Sequence, residues 1–97
     1  MNRPYELGFI IPSNVPETET QGVIDTVRGW IEGLNGAVTK VDYWGRRRLA
    51  YPIDEYREGY YVFVYMDFAP NRLNELENNL RLSDNVIRHL VIRLDEE

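Results

Sequence analysis

Apolar residues alternate at period two from Tyr5 to Ile11. Tyr5, Leu7, Phe9 and Ile11 fall on one side, the pattern of a half-buried strand. Pro12 and Pro16 bracket the loop that follows. Thr18-Glu19-Thr20-Gln21 has the capping-box form, which predicts a helix with Thr18 as its N-cap. Val23, Ile24, Val27, Ile31 and Leu34 then recur at helical spacing, and Asn35-Gly36 closes the helix, with Gly expected in the left-handed position. Ala37 to Tyr51 is rich in β-branched and aromatic residues and predicts a second strand, bent or bulged near Trp44-Gly45. Pro52 to Glu58 is polar and reads as a turn. Tyr60 to Met66 is the strongest strand signal in the chain. Pro70 opens a second helix with Leu73, Leu76 and Leu80 on one face. Ser83-Asp84-Asn85 turns the chain into a last strand, Val86 to Leu94, with Val86, Leu90, Ile92 and Leu94 sharing a face. Asp95-Glu96-Glu97 reads as a frayed acidic tail.

The order strand, helix, strand, strand, helix, strand is the split βαβ arrangement. It predicts an α+β, ferredoxin-like fold: a four-stranded antiparallel sheet with two helices on one face, because each crossover is right-handed. At 97 residues the expectation is a single domain, 1–97. One sheet face is then left open. In the third strand Tyr60, Val62, Val64 and Met66 suit the helix side, and Tyr61, Phe63 and Tyr65 form an aromatic stripe on the open side. Strand propensity alone would favour tyrosines here. Base stacking, as in the RNA recognition motif, is a second reading. However, the outward positions of the first strand are Glu6, Gly8 and Ile10, which carry no ring. A patch covered by a protein partner, or plain sheet surface, fits the stripe better.

Composition narrows the chemistry. There are no cysteines, so disulfides and thiolate metal sites are excluded. One histidine, His89, cannot make a zinc cluster, and neither Ser13 nor Ser83 sits in a nucleophile motif. The acids are scattered rather than paired for acid–base work, so no catalytic residue, cofactor or metal is expected. No apolar run reaches eighteen residues, and the strand-like start leaves no room for a signal peptide. The net charge of −5 argues against a generic nucleic-acid binder. Yet ten of the eleven basic residues are Arg, and Arg46, Arg47 and Arg48 are consecutive. In a strand, Arg46 and Arg48 point one way and Arg47 the other. A solvated run neutralised by Asp54, Glu55 and Glu58 is one reading. Three adjacent repelling cations on an acidic chain point rather to a phosphate-binding edge, for which the guanidinium fork is suited.

Gly45-Arg46-Arg47-Arg48-Leu49-Ala50-Tyr51-Pro52-Ile53, followed by Gly59-Tyr60, resembles the central signature of the bacterial small-subunit ribosomal protein six family. That signature runs Gly, any residue, a basic residue, a charged or polar residue, Leu, Ala or Ser, Tyr, any residue, Ile, and every position fits. Arg3-Pro4-Tyr5-Glu6 resembles the family's opening Arg-Tyr-Glu, with Pro4 a departure. Leu80 to Arg88 resembles its segment ending in Asp-Asn-Val and a basic residue, with Ile87 standing where relatives can have a second basic residue. The resemblance implies a cytoplasmic protein of the small ribosomal subunit. It implies binding to the central domain of small-subunit rRNA, paired with the small basic ribosomal protein eighteen. Carried over by position, Arg3, Arg46, Arg47, Arg48, Arg81 and Arg88 are the RNA-facing candidates. The open sheet face, with Tyr61, Phe63 and Tyr65, and the edge formed by the last strand are the surfaces offered to the partner. His89 is placed on the outward face of the last strand. No membrane or small-molecule substrate is implied. The same topology also serves acylphosphatases and small-ligand regulatory domains. The loop Pro12-Ser13-Asn14-Val15-Pro16 lacks the Gly and Arg of the former. The alternative is a stand-alone regulatory or small-ligand-binding domain.

Overall fold

A computed structural model describes residues 1–95. The elements are β1 (Arg3–Pro12), α1 (Thr20–Gly33), β2 (Ala37–Ile53), β3 (Tyr56–Phe68), α2 (Leu73–Leu82) and β4 (Arg88–Arg93). The sheet order is β2-β3-β1-β4, and every neighbouring pair is antiparallel. This is the ferredoxin-like, split βαβ fold expected from the order of elements along the chain.

Alternation in the strands decides where the core forms. Tyr5, Leu7, Phe9 and Ile11 of β1 lie beside Tyr60, Val62, Val64 and Met66 of β3, all buried on the face that the helices cover. From α1 come Val23, Ile24, Val27 and Ile31, and from α2 Leu76 and Leu80. Each such side chain withdrawn from water contributes about 1.5–3 kcal/mol before chain entropy is subtracted.

Several local expectations are corrected. Thr18 does not cap α1. It lies in a 3₁₀ turn, Glu17–Glu19, that follows Pro16, and no side chain caps the helix start. Pro16, with its fixed φ of −59°, begins the turning before the capping box can act, and Thr20 Oγ1 donates to the Glu17 carbonyl at 2.8 Å instead. A second 3₁₀ turn, Pro70–Arg72, precedes α2, so Pro70 opens the helical segment but not the α-helix proper. At the end of α1 it is Asn35, not Gly36, that takes the left-handed conformation, with φ 66°. Gly36 N–H donates to Ile31 O and Asn35 N–H to Glu32 O, the two bonds of a Schellman motif. Gly36 is there for space: a Cβ on it would lie 2.5 Å from the Phe68 ring.

The expected turn over Pro52 to Glu58 is mostly strand. β2 and β3 meet at a two-residue turn, Asp54-Glu55, with Ile53 paired to Tyr56. Both turn residues have positive φ, 47° and 72°, as the tight hairpin turn requires. Polar residues without the usual Asn-Gly signal hid this turn from sequence reasoning. Asp95 is not frayed: it lies 2.6 Å from Arg93 Nε and 3.7 Å from Arg3. Those neighbours, Arg93 foremost, hold its carboxyl below the usual range. The rest of the expected tail, residues 96 and 97, lies outside the described residues.

Candidate nucleic-acid and partner interface

The Arg block sits on the long β2–β3 hairpin. Gly45, at φ 81°, makes the bulge expected near Trp44-Gly45, and the register shifts between Tyr43 and Gly45. Beyond the bulge Arg46, Arg47 and Arg48 pair in turn with Tyr60, Gly59 and Glu58, so they alternate across the strand as the period of two requires. Arg46 is neutralised: its Nε donates to Glu58 Oε1 at 2.5 Å, and its guanidinium lies 5.9 Å from the Tyr60 ring centre. The Glu58 hydrogen bond holds the Arg46 pKa above its usual range. Arg47 and Arg48 are exposed, and neither has an ion-pair or hydrogen-bond partner among the described residues. Arg57, which sequence reasoning passed over, is exposed on the opposite strand of the same hairpin.

The hairpin also reaches across the open sheet face. Leu49 is buried, against a wall that includes Ile10 and Tyr61. Arg88 Nη1 of β4 donates to the Tyr51 hydroxyl at 2.6 Å and lies 6.0 Å from the Tyr51 ring centre. Arg88 is thereby brought to the Arg-block end of the molecule, partnered by a neutral hydroxyl that leaves its charge uncompensated. Arg81 is exposed near the C-terminus of α2, which runs back toward this same end. Arg3 is not part of the group. It pairs with Phe68, eight positions along β3 from the Tyr60 partner of Arg46. At ~3.3 Å per residue that places the two roughly 26 Å apart along the sheet. Arg3 lies instead beside Asp95.

Tyr61, Phe63 and Tyr65 are on the open face as expected, half-buried by one another and by their neighbours. Trp44 joins them, its ring centre 4.6 Å from that of Phe63. Phe63 leans over Gly8: a Cβ at position 8 would stand 3.0 Å from its ring. Tyr65 donates to the Glu6 carboxylate. That bond, loss of hydration, and the negative charges of Glu6 and Asp42 raise the Tyr65 pKa. Leu90 and Ile92 of β4 are exposed at 63% and 45% and extend the apolar surface. Two expectations for this strand are corrected. Val86 does not share their face, because it precedes β4 and is buried. His89 does not point outward: it pairs with Phe9 on the helix side, with Nε2 3.4 Å from Glu77 Oε1 of α2. The turn at residues 83–87 breaks the alternation from which both were read. Parity counted from Val91, which packs on the core, would have placed Leu90 and Ile92 outward.

Among the described residues no group of His, Asp and Glu is arranged to hold a metal ion. Nor, among the described residues, is any helix long and apolar enough to cross a membrane. The family model for ribosomal protein S6 matches residues 4–93. The small ribosomal subunit protein bS6 of Alkaliphilus oremlandii is 46% identical over 96 residues, covering 99% of this chain and 100% of its own. That of Carboxydothermus hydrogenoformans is 43% identical, with the same coverage. The crystal structure of 30S ribosomal protein S6 from Thermotoga maritima superposes with a TM-score of 0.90 at 37% identity, over 97% of this chain and 89% of that one. A bulged hairpin carrying the Arg block, a split βαβ sheet and full-length relatives of one kind agree: the chain belongs to the ribosomal protein S6 family, structural proteins of the small ribosomal subunit and not enzymes.

Proposed function

We propose that this protein, as one domain over residues 1–97, binds the central domain of small-subunit rRNA in the cytoplasm, together with the small basic ribosomal protein eighteen. Arg46, Arg47, Arg48, Arg81 and Arg88 face phosphate at the hairpin end, and Arg3 makes a separate contact at the other end of the sheet. Tyr61, Phe63 and Tyr65 are covered by the protein partner. The observation that carries this reading is the pair Arg47 and Arg48, exposed and uncompensated on a projecting hairpin of a chain whose net charge is −5. Cations left free on an acidic protein are matched to anions outside it. The small-ligand alternative has no comparable feature in its favour.

The test is a salt titration of binding to a central-domain rRNA fragment. Arg47→Ala and Arg48→Ala should each flatten the dependence of log K on log salt by about 0.7–0.9, as for any lost phosphate contact. Arg46→Ala should do less, because Glu58 already holds that guanidinium. Unchanged affinity and slope in the triple variant would return the block to solvated surface.

A further inference from the structure

The hairpin segment Leu49-Ala50-Tyr51-Pro52 is lifted out of the ladder. Arg48 pairs with Glu58 and Ile53 with Tyr56, so this stretch of β2 stands against Arg57 alone. A bulge of that size bends its strand and re-aims side chains. Two of them are turned onto the open face. Leu49, 7% exposed, lies beside Ile10 and Tyr61, and Ile10 is the β1 residue that pairs with Arg88. Gly59 makes room for Ile10: a Cβ there would stand 2.4 Å from Ile10 Cγ2. Two positions after Leu49, the Tyr51 hydroxyl accepts from Arg88 Nη1 at 2.6 Å, while Tyr51 stays 58% exposed.

The same register sorts the cations by side. Strand alternation sets Arg57 and Gly59 on the side of Tyr61, and Arg47, opposite Gly59, joins them. Arg88, paired with Ile10, is on that side too. Arg46 and Arg48 lie on the other, with Glu58 and Tyr60. Arg47, Arg57 and Arg88 are exposed, and none forms an ion pair among the described residues. Arg88 is held differently from Arg46. A carboxylate fixes a guanidinium and cancels its charge. A tyrosine hydroxyl fixes it and leaves the charge and most N–H donors free. A long Arg side chain loses rotamer freedom when it is immobilised, and here that loss is taken in the free protein, before a ligand arrives.

Resting on the RNA reading above, we propose that Tyr51 is the positioning residue that presents Arg88 to phosphate, in a cluster with Arg47 and Arg57. The bulge and the Leu49 anchor place the tyrosine, and Arg57 is a further phosphate contact.

The experiment is filter binding of a central-domain rRNA fragment over a range of salt, with ribosomal protein eighteen present throughout. Tyr51→Phe removes the hydroxyl and keeps the ring. It should weaken binding about three- to tenfold, the worth of one hydrogen bond, with the salt slope unchanged because the phosphate contact is still made. Arg88→Ala and Arg57→Ala should each weaken binding and flatten the slope by about 0.7–0.9. With Arg88 already replaced by Ala, adding Tyr51→Phe should cost nothing more. If Tyr51→Phe binds like wild type while Arg88→Ala does not, the positioning role falls and the RNA reading stands. If Tyr51→Phe weakens binding equally with and without Arg88, Tyr51 touches the RNA itself and the positioning role again falls. An unchanged slope in Arg57→Ala would remove Arg57 from the cluster. If none of Arg47→Ala, Arg57→Ala and Arg88→Ala changes affinity or slope, the RNA reading of this surface falls as well.

Discussion

Tyr65 and Glu6 show how single residues on the open face are tuned. The hydrogen bond to Glu6, the partial loss of water and the nearby negative charge all favour the neutral phenol, so Tyr65 ionises above the usual tyrosine range. Its folded pKa is raised. Its contribution to stability is therefore complete below the ordinary tyrosine pKa and is lost as pH climbs through the folded value. Ring-labelled tyrosine NMR should find that Tyr65 titrates late, and that Glu6→Gln brings it back toward the others. A Tyr65 resonance that moves with the remaining tyrosines in both proteins would show that the Glu6 contact does not persist in solution. The residue-level chemistry was only partly legible in sequence. Arg46, Arg47 and Arg48 could be singled out by adjacency, but Glu58, twelve positions away, had to be placed opposite by the hairpin before Arg46 could be distinguished from its neighbours.

Elements follow period more faithfully than caps or turns do. β1, α1, β3 and α2 were readable because burial repeats along them; the start of α1 and the hairpin turn were misread because one proline and two positive-φ residues outweighed local propensity. The sheet faces give a direct test. Leu76 is fully buried between α2 and the sheet, so Leu76→Ala should cost roughly 2–5 kcal/mol. Phe63 is only half-buried, on the other face, so Phe63→Ala should cost clearly less in the isolated protein. Denaturant midpoints at unchanged slope report both. Equal losses would contradict the assignment of faces. The turn offers a gain. Asp54 tolerates its positive φ, but Glu55 at φ 72° holds the place where Gly is preferred, so Glu55→Gly should raise stability by about 1–2 kcal/mol. An unchanged midpoint would mean that the turn stores no strain.

At the scale of the whole molecule, charge is distributed against its total. The chain carries −5, yet Arg47, Arg48, Arg57, Arg81 and Arg88 gather toward one end, and Arg88 also lines, with Glu6, the recess beside Gly8 on the open face. Sequence reasoning reached the Arg block and the aromatic stripe. It could not see Tyr51 reaching Arg88 across thirty-seven positions, or the recess that Gly8 creates, because both depend on strand register. An acidic protein approaching RNA is opposed at long range and helped only at contact, and a basic partner reverses the first of these. The most direct measurement is filter binding of a central-domain rRNA fragment with this protein alone, ribosomal protein eighteen alone, and the two together. The expected result is weak binding by either protein and much tighter binding by the pair. Binding by this protein alone as tight as by the mixture would contradict it, leaving the hairpin arginines to supply the affinity unaided.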